Sequence, residues 1–505
     1  MTTDKDLATT PGANRARLRL RLVGSLALAS VLTGCVAEGF TPQGQPRSPG
    51  SALVREMVFP PLQLTIPRVG REVQRRLLPN GLVLYLASDP SLPVLNAYAV
   101  FRAGSLYEPP SEPGVARFTA SQLRAGGTTT LSPAALNEEL EILGVSIESA
   151  VSSETISLTL NALAKDADRA LQLFEDMIRR PAFDPVPLET YRGQVVEDLR
   201  RLADSPSRLM AQEFSRIMYT ENYPLGRPLT QTQVRAVRRE NLLDFHRQFV
   251  RPDNLYVAIV GDFSVEELEA KFRARFGDWD AVGPPDLPSL PKVDPKSERA
   301  VYVLARDLAQ SSVTLGHFGI DRTNPDRFSI QIMDYILGGG GFTSRIMERV
   351  RTEEGLAYAV SSSFPTSTRD IGLFSVTVQT KNENVPRAVG VILEEMRRLQ
   401  EYPVTTEELL GAKDAFINSF VFRFSSRFRT VTQLLVLELD DYPLDYYETL
   451  LDRYRAITAE DIRRVAGRYL RPDATTILTV GDVAKFESAM AAFGPLHRLP
   501  APTTE

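Results

Sequence analysis

The chain repeats itself, and this duplication constrains its fold more than any other feature. Arg251-Pro252-Asp253 followed by Gly261-Asp262 returns as Arg471-Pro472-Asp473 followed by Gly481-Asp482, an offset of 471 − 251 = 220, and Glu240 and Glu460 keep the same offset. Further back, Ser157-Leu158-Thr159-Leu160 with Arg169-Ala170 resembles Ser375-Val376-Thr377-Val378 with Arg387-Ala388 at 375 − 157 = 218, so one small insertion or deletion separates the copies. Two halves of one fold are expected. Between them, residues 283–297 are Pro-rich and polar, as in an interdomain linker.

Inside each half the hydrophobic period switches. Ile156, Leu158 and Leu160 alternate as on a half-buried strand, whereas Leu171, Phe174 and Ile178 are spaced as on a helix face. Ser132-Pro133 ahead of residues 134–143 reads as a helix start, with a cap residue and a first-turn proline. Strand and helix patterns interleave throughout, so an α+β domain is expected over 71–282 and a second over 298–490, with a tail at 491–505. Most of these apolar residues are read as core. With 505 residues, 43% hydrophobic and 24% charged, the chain is long enough for two domains with real cores, and a disordered or fibrous class is excluded. A formal net charge of −5 gives no reason to invoke nucleic acid or an anionic surface as the main partner.

The N-terminus carries an address. Arg15, Arg17, Arg19 and Arg21 precede an apolar run over 22–32 that ends in Leu32-Thr33-Gly34-Cys35. A basic segment, a short apolar core and a small-residue end make a secretory signal, and the run is too short for a membrane span. Its end resembles a bacterial lipobox, which implies cleavage before Cys35 and lipidation of that thiol; the alternative is a plain signal peptide with an incidental cysteine. Cys35 is the only cysteine, so no internal disulfide is available. Residues 36–70, rich in Pro, Gly and Ser, read as a flexible tether. Val36 after the cysteine, in place of Asp, favours the outer membrane, with the protein on its periplasmic side.

The chain contains Leu78-Pro79-Asn80-Gly81-Leu82, Gly104-Ser105, Gly114-Val115-Ala116, Tyr223-Pro224-Leu225-Gly226-Arg227-Pro228, Arg251-Pro252-Asp253-Asn254 and Val260-Gly261-Asp262. With these motifs it resembles, from about Arg71 to about Asp482, the insulinase/pitrilysin metallopeptidase family in its mitochondrial processing peptidase-like branch. The resemblance implies that each half is a mainly antiparallel sheet backed by helices, and that the halves close around a chamber. It also identifies residues 114–128, GVARFTASQLRAGGT, as the frame of the family's zinc helix. In active members an inverted motif, His-x-x-Glu-His, puts two imidazoles one turn apart with a general base between them. Arg117, Ala120 and Ser121 stand at those positions. A guanidinium repels a dication, a methyl group is no base, and a neutral hydroxyl is a poor zinc ligand. The third ligand position, on a later helix, falls on Asp198 within Val195-Val196-Glu197-Asp198-Leu199. Asp198 alone cannot hold zinc, and the only histidines, His246, His317 and His497, lie far from both segments in sequence. An Arg117–Asp198 salt bridge in the metal's place is an expectation of this reading.

The second half holds Leu337-Gly338-Gly339-Gly340-Gly341-Phe342-Thr343-Ser344-Arg345, then Arg349, Arg351 and Gly355-Leu356-Ala357-Tyr358. Four glycines end one helix, and the next is expected near Thr343 or Ser344, both cap types. The Gly-Lys-Ser/Thr ending of a phosphate loop is absent. The family places an Arg and a Tyr seven residues apart after this loop, facing the zinc site, and here these are Arg351 and Tyr358. A guanidinium fork can hold substrate carbonyls and a phenol can donate to the oxyanion of a tetrahedral intermediate. The bland alternative pairs Arg351 with Glu353 or Glu354 and packs Tyr358 in the core. The resemblance thus implies the non-catalytic subunit of a zinc-peptidase heterodimer. It would bind peptide at Gly338, Gly339, Gly340 and Gly341 and lend Arg351 and Tyr358 in trans, with no metal of its own and the zinc on the partner. The rival is a non-enzymatic peptide-binding or scaffold protein. Hydrolysis by this chain alone lacks any supporting Ser/His/Asp or Cys/His pairing.

Overall fold

The computed structural model describes residues 66–280, 289, 292, 293, 295, 298–366 and 369–500. The signal, Cys35, nearly all of the tether and most of the linker lie outside the described residues.

Two six-stranded sheets form the frame. The first runs β1-β2-β6-β3-β5-β4, from β1 (Gln74–Leu77), β2 (Val83–Ser88), β3 (Val94–Arg102), β4 (Ser146–Val151), β5 (Thr155–Leu163) and β6 (Leu255–Gly261). The second runs β12-β7-β11-β8-β10-β9, from β7 (Ala300–Ala305), β8 (Gln310–Phe318), β9 (Ala357–Ser363), β10 (Leu373–Lys381), β11 (Thr476–Gly481) and β12 (Leu496–Arg498). Five strands correspond one to one: β2-β6 and β7-β11 are parallel, and the ladders beyond them antiparallel. The duplication is therefore a duplication of topology. The sixth strands differ, because β1 joins antiparallel from just before β2, whereas β12 joins β7 in parallel from the far end of the chain. That strand corrects the expectation of a tail over 491–505. Three residues carry no readable alternation, and only pairing with β7 makes them a strand. At the other end Ile66 and Val69 already pack against the core, inside the stretch expected as tether.

The period switches mark real elements. Ile156, Leu158 and Leu160 on β5 are buried, as are Leu171, Phe174 and Ile178 on the helix Ala167–Arg179. Pro133 opens the helix Pro133–Leu143, and Ser132 caps it by accepting from the Ala135 N–H. The motifs that carry the resemblance hold this scaffold together. Gly81, at φ 91°, turns the chain between β1 and β2, and a Cβ there would lie 3.0 Å from Asp253 of the Arg-Pro-Asp motif. Asn80 ties the same turn to the Phe276 and Trp279 carbonyls.

β2 is buried on both faces, which explains its unbroken apolar run. Leu84 and Leu86 face the helices of their own half, while Val83, Tyr85 and Ala87 join the core of the C-terminal half. The exchange is reciprocal. Helix Arg427–Leu439 of the C-terminal half packs on β2 and β6, and helix Pro206–Tyr219 of the N-terminal half packs on β8 and β11. Gly316 on β8 lets Phe214 of the latter helix approach, since a Cβ would lie 2.8 Å from its ring. The described residues form one compact unit.

A single carboxylate pins one of these exchanged helices. Glu438 receives Arg75 Nε at 2.7 Å, Arg75 Nη2 at 2.6 Å and the Tyr85 hydroxyl at 2.5 Å. Burial raises its carboxyl, but these hydrogen bonds outweigh that and hold it below the usual range. Glu438→Ala leaves a half-buried guanidinium and a buried phenol unpartnered, which should cost about 3 kcal/mol. Urea denaturation checks this, and a loss under about 1 kcal/mol would remove Glu438 from any role in joining the halves.

Candidate functional site

The helix Val115–Ala125 starts at Gly114, which takes φ 92°. Glu108 caps it, accepting from Gly114 N at 2.8 Å and Ala116 N at 3.0 Å. Burial pushes the Glu108 carboxyl up to about 7 against those two bonds. Val115, Phe118, Thr119, Gln122 and Leu123 face the core, leaving Arg117 and Ser121 one turn apart on the open side. Ala120 is buried between them. Helix Pro185–Arg200, capped by Asp184, packs alongside and carries Asp198.

Arg117 crosses to this second helix. Its Nε donates to the Tyr191 hydroxyl at 2.9 Å, its Nη2 approaches Asp198 Oδ2 at 3.4 Å, and its guanidinium lies over the Tyr191 ring at 5.8 Å. The expected salt bridge is therefore present, but its side chains are 38% and 52% exposed, so it is a weak surface pair. Losing Asp198 alone leaves a guanidinium that water and Tyr191 still solvate. Asp198→Asn should change the unfolding free energy by less than about 0.5 kcal/mol, and a larger loss in a denaturant titration would contradict this assignment. Tyr191 escaped the sequence reading, although it lies seven residues before Asp198 on the same helix face.

This donor set does not fit zinc. Among the described residues no group of three or more His, Cys, Asp or Glu side chains is placed to hold a metal ion. The histidines are used elsewhere. His246 bonds the Ile178 carbonyl at 2.7 Å, and His497 stacks on Tyr302. Fully buried His317 receives the Arg471 N–H on Nε2, so its Nδ1–H donates to the Phe318 carbonyl. Burial lowers His317 to about 4, keeping it neutral at physiological pH.

In the other half the helix Arg327–Asp334 widens into a π-turn, Tyr335–Gly339. Asp334 anchors it, receiving the Ser362 hydroxyl at 2.6 Å and the Phe364 N–H at 3.2 Å. A Cβ on Gly338 would lie 2.6 Å from Ser362 N on β9, and one on Gly340 2.7 Å from the Tyr335 carbonyl oxygen. Gly338 is buried, so it is a packing residue and not the peptide contact expected of it; Gly339 and Gly341 are exposed. The next helix does begin after Ser344, at Arg345, but the Ser344 hydroxyl donates back to the Gly341 carbonyl at 2.7 Å and caps nothing.

Arg351 and Tyr358 come together in a way that the bland alternative does not describe. The Arg351 guanidinium lies over the Phe342 ring at 4.7 Å and over the Tyr358 ring at 4.8 Å. Tyr358 is 81% exposed and Phe342 70%. Glu353 pairs with Arg349 at 2.7 Å and Glu354 with Arg387 at 2.6 Å, and among the described residues Arg351 makes no ion pair. Phe342, like Tyr191, escaped the sequence reading; its signal is a large apolar side chain in a glycine loop. No hydrogen bond, ion pair or ring contact joins this stack to Arg117 or Asp198 among the described residues.

Residues 83–233 match the family model for insulinase, peptidase family M16, and residues 236–416 match that of the peptidase M16 inactive domain. The chain belongs to the insulinase family of peptidases. Among its relatives, an uncharacterized zinc protease of Streptomyces coelicolor is 25% identical over 413 residues, covering 80% of this chain and 89% of that one. The non-peptidase homologue YmxG of Helicobacter pylori is 26% identical over 380 residues, covering 74% and 85%. The crystal structure of a peptidase M16 inactive domain from Pseudomonas fluorescens superposes with a TM-score of 0.71 at 25% identity, covering 81% of this chain and 97% of that one. With a guanidinium, a methyl group and a hydroxyl in the zinc frame, this chain is an inactive M16-like peptidase homologue. In the C-terminal half Tyr358 stands exposed beside the half-buried Arg351.

Proposed function

We propose that this protein is the non-catalytic subunit of a periplasmic, zinc-dependent peptidase heterodimer, anchored to the outer membrane through Cys35. It binds extended peptide and lends Arg351 and Tyr358 to the active site of a partner that carries the zinc. The observation behind this reading is the Phe342–Arg351–Tyr358 stack. A fold gains little by leaving two large aromatic rings in water around a guanidinium without a carboxylate. The rings pack on the guanidinium without hydrogen-bonding it, which leaves its N–H groups for peptide carbonyls. The signal and lipobox at 15–35 supply the location, and the dead zinc frame supplies the need for a partner.

The test is a pull-down of the lipidated protein from native membranes. Co-purification of a His-x-x-Glu-His homologue together with zinc supports the heterodimer. Recovery with unrelated membrane proteins alone, zinc-free, supports the scaffold reading instead.

A further inference from the structure

The turn 223–228 has no role in the site just described. It is nonetheless rigidly built. Gly226 fits where a Cβ would lie 1.9 Å from the Thr220 carbonyl oxygen, and the Tyr223 hydroxyl donates to Asp370. Arg227 clasps two backbone carbonyls, Nε to Glu221 at 2.9 Å and Nη2 to Asn222 at 3.2 Å. This turn and the start of the helix Val115–Ala125 enclose a cleft of about 280 Å³, with Glu108, Gly114, Arg117, Pro224, Leu225 and Arg227 among its walls.

The charges in this cleft do not balance. Arg227 makes no ion pair among the described residues, and Arg117 has only its long contact with Asp198. Each guanidinium spends its Nε–H and an Nη2–H within the chain, so Nη1 of both is without a partner among the described residues. The one acid lining the cleft, Glu108, has each carboxylate oxygen on a backbone N–H. Asp198 meets one guanidinium and the Glu108 carboxylate acts on the other, yet each keeps Nη1 donors free beside proline and leucine walls. Guanidinium matches carboxylate geometry, and the apolar walls match a side chain beside it. The volume is below that of a drug-sized pocket and suits a single residue.

We propose that this cleft binds the C-terminal carboxylate of a peptide whose last side chain is apolar, with Arg117 and Arg227 holding the carboxylate and Pro224 and Leu225 meeting the side chain. The first zinc-ligand position has thus been reused, its imidazole exchanged for an anion-binding guanidinium. This site lies wholly on this chain and does not depend on a partner enzyme.

Calorimetric titration of the full chain in detergent tests it, using an unstructured peptide ending in Leu as the free acid, the same peptide as its C-terminal amide, and an amide ending in Glu. The free acid should bind about tenfold or more tighter than the Leu amide. Arg227→Gln or Arg117→Gln should erase that preference without shifting the thermal unfolding midpoint, and Arg351→Ala should leave it intact. If Arg227→Gln unfolds the turn, Arg117→Gln decides, because its side chain is partly exposed and bonds only Tyr191 and Asp198. A Glu amide that binds as well as the free acid would overturn the chain-end assignment in favour of a side-chain carboxylate. Equal affinity for acid and amide, no binding of either, or a preference that survives both Arg variants overturns the site.

Discussion

Tyr358→Phe should lower the peptide turnover of the heterodimer about a hundredfold while leaving this chain's thermal midpoint unchanged. Removing one donor to a developing oxyanion costs roughly two to three orders of magnitude in rate. Tyr358 makes no hydrogen bond within the described residues and stands 81% exposed on β9, so the fold loses nothing with its hydroxyl. The loss should fall on kcat, since the phenol is needed where charge develops. Arg351→Ala should cost at least as much and should also raise KM, because the fork would hold ground-state carbonyls too. Lys at 351 should not rescue it, lacking both the planar face that stacks on Phe342 and Tyr358 and the bidentate edge. Unchanged steady-state rates in both variants would leave the stack without a catalytic role and favour a scaffold.

The variant R117H/A120E/S121H should become a zinc protein, whereas the natural chain should be indifferent to the metal. The frame for this is intact: positions 117 and 121 lie one turn apart on the open face, and Asp198 is within reach of residue 117 across the helix pair. Ala120 is buried, so a glutamate there places a carboxylate among apolar neighbours and should cost a few kcal/mol without metal, about 3 by the usual penalty. Zinc binding the folded state only should return that stability by mass action, about 4 kcal/mol at a thousandfold excess over its dissociation constant. Thermal unfolding with and without zinc therefore separates the outcomes. A variant whose midpoint ignores zinc would mean that the helices no longer hold ligand geometry, and that more than three side chains were lost from the ancestral site.

The fold was legible where the signal was redundant. A duplicated pattern with two clean periods, such as Ile156-Leu158-Leu160 and Leu171-Phe174-Ile178, names its elements twice, and both sheets followed. What escaped were features set by distant contacts. The exchange of helices Pro206–Tyr219 and Arg427–Leu439 between the sheets leaves no local pattern, although the apolar run of β2 is its trace. β12 is too short for a period to show. The dead zinc frame and the Arg351–Tyr358 pair were implied by the resemblance to the insulinase family, whose motifs keep chemical types at fixed spacing. Phe342, Tyr191 and the buried setting of Gly338 depend on which surfaces meet, and spacing carries that only weakly.

The most direct measurement is cleavage of an unstructured peptide by three samples: this chain alone, the purified His-x-x-Glu-His partner alone, and the two mixed. The heterodimer reading predicts strong activity in the mixture only, abolished by a chelator and restored by zinc. Full activity in the partner alone, unchanged on adding this chain, or activity in this chain by itself, would contradict it.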